Sequence, residues 1–332
     1  NVNVTQSERQ PGSSFKPFTY ATAFSKGYEP ETKIYDMPID FGPDGSGANY
    51  IPRNYDGKFH GLLTMRQALA MSLNVPAVET LALAGIDATI DTATRLGITT
   101  LTEPKRYGLS LTLGGAEVRP IDMARAFGVF GQEGIAHDML PIRSITDSQG
   151  QYIFEASPSE GKRVLDTEVA RKINSILSDN AARTPIFGPR SPLAFPHGKA
   201  VAAKTGTSQD FNDAWTVGYT PSISAAVWVG NNDNSPMTVG SDGIFVAAPI
   251  WRSFIDASGF GNPESSFVAY TPIGPVSPLP VRPPGITLAS IEKKTVYLDK
   301  KTGREIPEGE AKKMKKKRYQ KIESDPFAGS AP

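Results

Sequence analysis

A Ser-x-x-Lys pair near the start of this chain is a pattern that can make a serine nucleophilic. Ser13 and Lys16 lie in RQPGSSFKP, and a separation of three residues is close to one helical turn. Pro17 is tolerated only in the first turn of a helix, so we expect a helix to begin near Ser13. The hydroxyl would then lie at the positive end of the helix dipole, beside the lysine amine. A serine in this setting can act without a histidine.

A second motif, Lys204-Thr205-Gly206-Thr207, ends an apolar run and precedes the alternating segments DAWTVGY and SISAAVWVG. This context predicts a strand at the edge of a hairpin-rich sheet. Such a strand offers one ammonium group, two hydroxyls and a closely approachable backbone at Gly206. These groups suit a substrate that carries a free carboxylate.

The third motif, Ser72-Leu73-Asn74, lies in TMRQALAMSLNVPAVETLALAG. Thr64 and Gln67 form a capping box that starts a helix. Pro76 prevents this helix from continuing past Asn74 and can itself open the next one. We therefore expect the triplet to lie at a break between two helices, exposed to a cleft.

Each motif also occurs elsewhere in the chain, so each one alone is weak. Ser159/Lys162 lies in a polar loop, Ser290/Lys293 in an alternating stretch beyond a proline-rich segment, and Lys301-Thr302-Gly303 in a turn. Ser178-Asp179-Asn180 matches Ser-x-Asn literally, but it ends the helical pattern TEVARKINSILSDN and reads as a polar helix terminus. The residues of the first three motifs also have structural alternatives. Ser13 and Asn74 could be helix caps, Lys16 a solvated lysine, and Lys204 a lysine on an edge strand.

Taken together, these residues make the chain resemble the transpeptidase domain of class A penicillin-binding proteins, in the larger serine acyltransferase family that also includes serine β-lactamases. The resemblance runs from Gln6 to about Gly259. It rests on RQPGSSFKP, LTMRQALAMSLNVPAVE, LTLGGAEVRPIDMARAFGVF, AAKTGTSQDFNDAWTVGYTP and VWVGNND, in the family's order. One departure is Thr216, where the family leads us to expect an aromatic residue.

The resemblance implies an α/β (α+β) fold, with an antiparallel five-stranded sheet flanked by helices plus an all-helical lobe. It implies that Ser13 attacks the carbonyl between the two terminal D-alanines of a peptidoglycan stem peptide, and that an amine from a neighbouring stem resolves the acyl-enzyme. β-Lactam antibiotics would acylate the same serine. The implied site residues are Ser13 as nucleophile, Lys16 as general base, Ser72 as proton relay, Asn74 and Lys204 as catalytic partners, and Thr205, Gly206 and Thr207 as the carboxylate-binding strand.

Two alternatives to a transpeptidase remain open at this point. One is a hydrolase of the same family, a D,D-carboxypeptidase or β-lactamase, although the Glu-x-x-Leu-Asn motif of a class A β-lactamase occurs nowhere in the chain. The other is a non-catalytic β-lactam sensor. The segments RQPGSSFKP and DAWTVGY resemble the wall-building class more than the sensors.

The composition predicts a soluble globular chain, and we expect no cofactor. It has 332 residues, 39% of them hydrophobic, and no cysteine, which excludes disulfides and thiolate catalysis. The histidines, His60, His137 and His197, lack metal-ligand spacing, so we expect no metal site. No segment reaches the ~18 apolar residues of a membrane span. We expect an extracytoplasmic enzyme whose membrane anchor lies outside this chain. We also expect the chain to be a fragment of a longer protein that has a glycosyltransferase domain upstream.

We expect three regions along the chain. Residues 1–260 form the transpeptidase domain, 261–285 a proline-rich linker, and 286–332 a small appendix. The appendix carries a basic run at 311–321, which reads as a solvated tail, with contact to a membrane surface as a minor hypothesis. The remaining body is mildly acidic, which gives no support to nucleic-acid binding.

Overall fold

A computed structural model of the chain describes residues 2–43, 48–157, 160–195, 199–258, 266–274, 276–277, 279–284, 287–288, 294–299, 305–306 and 319–324. Several predictions lie outside these residues: those for Ser159, Ser290, Lys293, Lys301 to Gly303, His197 and residues 311–318 of the basic run. Within these ranges, no helix is long and apolar enough to cross a membrane.

Helices dominate the first half of the chain, and the principal antiparallel strands follow. The helices are α1 Lys16–Ser25, α2 Met65–Ala70, α3 Asn74–Ala84, α4 Ile86–Leu96, α5 Pro120–Gly131, α6 Thr167–Leu177, α7 Asn180–Phe187, α8 Gly243–Val246 and α9 Ala248–Ala257. The strands are β1 Lys33–Asp36, β2 Ile39–Asp40, β3 Gly61–Thr64, β4 Ile135–Ala136, β5 Ser144–Thr146, β6 Tyr152–Glu155, β7 Lys162–Arg163, β8 Ala202–Thr207, β9 Asp213–Tyr219, β10 Ser224–Gly230, β11 Thr287–Leu288, β12 Lys294–Asp299, β13 Glu305–Ile306 and β14 Tyr319–Ser324.

The predicted break between two helices is confirmed. The Thr64 side chain accepts a hydrogen bond from Gln67 N while the Gln67 side chain accepts one from Thr64 N, so the predicted capping box starts α2. The helix ends at Ala70, and α3 begins at Asn74 with Pro76 in its first turn. The residues between them, including Ser72, are therefore released from helical geometry.

The sheet beside the site has the order β10-β9-β8 in the described part of the chain. Lys204 pairs with Val217 and Gly206 with Trp215 across the antiparallel ladder. One face of this sheet carries Trp215, Val217 and Tyr219 and packs into the larger core with α1, α5 and α6. The other face carries Ala203 and Val227 and packs against α9. Helices thus cover both faces, as the mixed fold class predicted, but the predicted count of five strands is not confirmed.

Helix α1 lies in the middle of the larger core. Its residues from Lys16 to Phe24 are all buried, and Phe18 contacts Phe127 and Phe130 with ring centroids 5.9 and 6.0 Å apart. Aromatic contacts of this kind add to the free energy gained from apolar burial. The first residue of α1 is consequently held in a rigid setting.

Described parts of the predicted linker lie along the N-terminal strands. Val281 N donates to Lys33 O at 2.9 Å, and β11, at the start of the predicted appendix, pairs antiparallel with β2. Tyr270 OH donates to Glu31 Oε2 at 2.8 Å. The division into 1–260, 261–285 and 286–332 stays a prediction.

Candidate active site

Ser13 lies on a tight turn that leads directly into α1. Gly12–Phe15 forms a 3₁₀ turn, the backbone N–H of Lys16 donates to Ser13 O, and Pro17 follows in the first turn of the helix. Ser13 is half-buried, and its hydroxyl makes no hydrogen bond to another described residue. The expected placement of Ser13 beside the N-terminus of a helix is therefore observed.

Glycines allow three backbone segments to meet at this turn. A Cβ on Gly206 would lie 2.1 Å from Pro11 O, and one on Gly12 would lie 2.2 Å from Thr207 O. Gly12 also has φ +53, a conformation that favours glycine, and a Cβ on Gly114 would lie 2.2 Å from Gly12 N. The strand carrying Thr207 is thus packed directly against the Ser13 turn.

The Lys16 amine is buried and held by acceptors from the Ser72-Leu73-Asn74 segment. Lys16 Nζ donates to Ser72 O at 2.6 Å and to Asn74 Oδ1 at 2.8 Å, with Ser72 Oγ at 3.5 Å. Burial holds the pKa of Lys16 well below its usual range, the positive charge of Lys204 lowers it further, and Asp36 opposes both effects. A neutral amine has two N–H groups, so these two short bonds leave its lone pair available to accept a proton.

Lys204 reaches the same serine from the sheet. Lys204 Nζ donates to Ser72 Oγ at 2.7 Å and to Thr205 O at 2.8 Å. Burial lowers the pKa of Lys204 to about 7, with a further contribution from the positive charge of Arg183. The two amines therefore lie on either side of one hydroxyl, and both have a lowered pKa, that of Lys204 to about 7.

Ser72 takes a backbone conformation that is uncommon for a side chain other than glycine. Its φ is 61°, in the left-handed region, which costs of order 1–3 kcal/mol. Its N–H is bonded to Leu69 O at 3.1 Å, which closes the last turn of α2. This conformation presents the Ser72 carbonyl to Lys16 and its hydroxyl to Lys204.

Asn74 and the Lys204–Thr207 strand complete the site. Asn74 Nδ2 donates to Arg53 O at 2.9 Å, which turns the amide oxygen towards Lys16. Thr207 Oγ1 accepts from Gly243 N at 3.1 Å, and Thr205 is buried on the same strand, at 6% exposure. The structure thus brings together the sequence-predicted residues: Ser13, Lys16, Ser72, Asn74, Lys204, Thr205, Gly206 and Thr207.

The competing Ser178-Asp179-Asn180 triplet has structural contacts instead. Ser178 Oγ donates to Asn174 O at 2.7 Å, and the Asp179 side chain caps α7 by accepting from Ala182 N at 2.9 Å. This agrees with a polar helix terminus. Thr216, the departure from the family pattern, is fully buried, and its hydroxyl donates to Trp215 O at 2.9 Å.

Three buried residues around the site were missed from sequence. Asp36 and Asn54 hydrogen-bond to each other at 2.7 Å behind Asn74. Arg183, 3% exposed, lines a cavity of about 10 Å³ together with Lys204. These residues belong to none of the three motifs, so motif spacing could not connect them to the site. The one signal that was available is Asp179 followed by Asn-Ala-Ala, a helix start that places Arg183 on α7.

Comparisons with known proteins agree over most of the chain. The profile of the family described as penicillin binding protein transpeptidase domain matches residues 1–256. Penicillin-binding protein 1A of Neisseria lactamica is 33% identical over 265 residues, which cover 78% of this chain and 32% of the relative. Penicillin-binding protein 2D of Bacillus subtilis (strain 168) is 32% identical over 270 residues, or 80% of this chain and 38% of the relative. The chain thus spans about a third of the length of the curated relatives it matches.

Solved structures give the same result for the fold. The PonA1 protein of Mycobacterium tuberculosis, in complex with penicillin V, superimposes with a TM-score of 0.70 at 30% identity over 84% of this chain and 78% of that chain. Penicillin-binding protein 1A of Haemophilus influenzae gives a TM-score of 0.70 at 25% identity over 97% of this chain and 49% of that chain.

Proposed function

Because the chain belongs to the penicillin-binding protein transpeptidase domain family, we propose that it is a serine D,D-transpeptidase that cross-links peptidoglycan stem peptides and is acylated by β-lactams. The observation that carries the proposal is the continuous set of contacts Lys16–Ser72–Lys204 beside the Ser13 turn. These contacts supply a base and a proton relay to a serine that hydrogen-bonds to no histidine among the described residues.

Acylation begins when Ser13 Oγ attacks the carbonyl carbon of the penultimate D-alanine. Lys16 accepts the hydroxyl proton, since its pKa is lowered chiefly by burial. An ordinary lysine, with a pKa of ~10.4, would be neutral in only about one molecule in a few thousand at pH 7. The lowered pKa of Lys16 therefore reduces the energetic cost of forming the neutral base.

The C–N bond then breaks, and the leaving D-alanine amine takes up a proton. Ser72 Oγ is the donor we propose, because it lies 2.7 Å from Lys204 Nζ and 3.5 Å from Lys16 Nζ. As Ser72 gives its proton to the amine, it regains one from a neighbouring lysine. The acyl ester remains on Ser13.

The substrate carboxylate and the developing oxyanion are held by the strand that carries Thr207. The hydroxyls of Thr205 and Thr207 bind the terminal carboxylate near the Lys204 cation. The backbone N–H groups of Ser13 and Thr207 stabilise the oxyanion. The close approach of Gly12 to Thr207 supports this pairing, because it holds the two backbones side by side.

The second half-reaction favours an amine acceptor over water. Among the described residues, no carboxylate hydrogen-bonds to Ser13, Lys16, Ser72 or Lys204, so none is held against these groups to activate water there. The same observation counts against a class A β-lactamase, which deacylates through a glutamate. A sensor that only acylates would use the same relay, and turnover of a donor separates it from a transpeptidase.

The cellular context of the proposal follows from the relatives. We propose an extracytoplasmic location, attachment to the membrane through a segment outside this chain, and an upstream glycosyltransferase domain in the full protein. β-Lactams are proposed as ligands, because the PonA1 relative is described in complex with penicillin V.

Turnover of a thioester donor, with and without a D-amino acid acceptor, tests transfer against hydrolysis. We expect the amine to accelerate donor turnover and a penicilloyl adduct to persist for many minutes. Rapid, catalytic penicillin hydrolysis with no stimulation by amines would instead establish a β-lactamase.

A further inference from the structure

Three consecutive residues outside the motifs bind three different parts of the candidate site. Arg53 O accepts from Asn74 Nδ2 at 2.9 Å. Asn54 Oδ1 accepts from Asn74 N at 2.8 Å and from Val75 N at 3.2 Å. Tyr55 OH donates to Asp242 Oδ2 at 2.9 Å, and the next residue, Gly243, donates its N–H to Thr207. The segment 53–55 thus contacts both walls of the site.

The amide of Asn54 has only one orientation that satisfies its surroundings. Its Nδ2 faces acceptors only: Asp36 Oδ1 at 2.7 Å, Asp36 Oδ2 at 2.8 Å and Lys58 O at 2.8 Å. Its Oδ1 faces only backbone N–H donors. Reversing the amide would place donor against donor and acceptor against acceptor. Both Asn54 and Asp36 are buried, so neither can exchange these bonds for water at low cost.

Asn54 caps a helix to which it does not belong. Helix α3 begins at Asn74, and its own N-cap residue, Leu73, provides no side-chain hydrogen bond. The first N–H groups of a helix need acceptors, and Asn54 supplies one from 20 residues upstream. The start of α3, and with it the backbone of Asn74, is therefore tied to Asn54.

This tie reaches the reacting groups through Asn74. With its backbone held by Asn54 and its Nδ2 held by Arg53 O, Asn74 has its Oδ1 left to accept from Lys16 Nζ at 2.8 Å. That bond uses one N–H of the amine, and Ser72 O uses the other. If Asn74 moved, Lys16 would lose the constraint that aims its lone pair.

We propose that Asn54 is a positioning residue for acylation, oriented by the buried carboxylate of Asp36, and that it fixes Asn74 so that Lys16 presents its lone pair to Ser13. The inference rests on the transpeptidase function proposed above and deepens it. Asn54 touches no substrate in this account and acts only through Asn74.

The charges around Lys16 give the proposal a second readout. Lys204 from β8 and Asp36 from β1 act on Lys16, and Asp36 itself contacts His60, with Tyr20 of α1 and Glu79 of α3 nearby. The negative charge of Asp36 favours the protonated amine. Asp36→Asn removes this charge and turns a donor towards Asn54 Nδ2, so acylation should slow while its acid limb moves to lower pH. A purely structural role would lower the rate at every pH without moving the limb.

The experiment measures acylation by a fluorescent penicillin across pH, resolved into noncovalent affinity and the rate of the covalent step, together with thermal melting. We expect Asn54→Ala to slow the covalent step by about 10- to 100-fold with little change in affinity, because small misplacements of catalytic groups have effects of this size. Asn49→Ala is the matched control, since Asn49 Nδ2 makes an exposed bond of 2.6 Å to Asp40 Oδ2 and Asn49 hydrogen-bonds to none of the candidate-site residues that the structure describes.

A double variant keeps the test decisive if Asn54→Ala does not fold. Asn54→Asp combined with Asp36→Asn exchanges donor and acceptor, preserves the pair's charge and keeps an acceptor for α3. We expect it to acylate faster than either single change. A folded Asn54→Ala with the wild-type rate and pH profile, or a double variant slower than both single variants, would overturn the inference. Failure of the wild-type protein to be acylated at Ser13 would contradict the proposed function instead.

Discussion

Lys204 Nζ lies 2.7 Å from Ser72 Oγ, although the two residues are 132 positions apart in the chain. This contact joins β8 to the break between α2 and α3. It gives the Ser72 hydroxyl a lysine on each side, since Lys16 Nζ lies 3.5 Å away. The proposed proton transfer through Ser72 depends on this arrangement.

Ser72→Ala is expected to slow acylation by a β-lactam by orders of magnitude, because it removes the hydroxyl between the two amines. Ser178→Ala is the matched control, since Ser178 bonds only to Asn174 O at the end of α6. The measurement is the second-order rate constant of acylation for each variant. Equal effects of the two changes would refute the assignment of Ser72.

Lys16→Arg is expected to be as slow in acylation as Lys16→Ala, because arginine stays protonated and cannot act as a base. In the wild-type protein, acylation should rise with pH through the lowered pKa of Lys16, as the neutral fraction of the amine grows. Lys26→Arg, at the exposed end of α1, should keep the wild-type profile. Recovery of acylation in Lys16→Arg would point to an electrostatic role for this residue.

Gly206→Ala is expected to reduce both acylation and melting temperature, since its Cβ would lie 2.1 Å from the backbone oxygen of Pro11. Relief of this clash requires the Ser13 turn and β8 to separate. Gly108→Ala is the control for the effect of a glycine-to-alanine change without a clash, because Gly108 has a negative φ and open space around it. If Gly206→Ala acylated like Gly108→Ala, the close approach of the two segments would be irrelevant to catalysis.

Glu79→Gln is expected to stabilise the fold above neutral pH. Burial raises the pKa of Glu79 to about 8, whereas an unfolded glutamate titrates near ~4.3. Between these values the folded state keeps a proton that the unfolded state has lost, so stability falls as pH rises through this window. The expected loss is roughly 2–5 kcal/mol. Denaturant unfolding at pH 5 and pH 8.5 should show this loss of stability in the wild-type protein and in Glu155→Gln, a control at an exposed position. Glu79→Gln should not show it.

The sequence was sufficient to predict the catalytic motifs because local rules specify them. Pro17 requires a helix to start near Ser13, and the Thr64–Gln67 capping box with Pro76 requires a break at Ser72. Alternating apolar residues predicted β9 and β10 to within two residues. These signals all act over a few positions in the chain.

The sequence could not predict what depends on distant contacts. Asn54 accepts a hydrogen bond from the start of α3, 20 residues away in the chain. The charge of Asp36 raises the pKa of Lys16 only because the fold brings the two residues together. Helix α7 was also missed, since Pro185 inside it reads as a helix breaker. The expected five strands came from the family resemblance, not from a pattern in the residues.

Mapping the adduct formed with penicillin tests the central claim most directly. Intact-mass measurement followed by peptide mapping should find one penicilloyl group, on Ser13 and not on Ser14, whose buried hydroxyl donates to Pro11 O at 2.7 Å. Ser13→Ala should abolish the adduct without loss of fold. An adduct on any other residue, or an unchanged adduct in Ser13→Ala, would contradict the account.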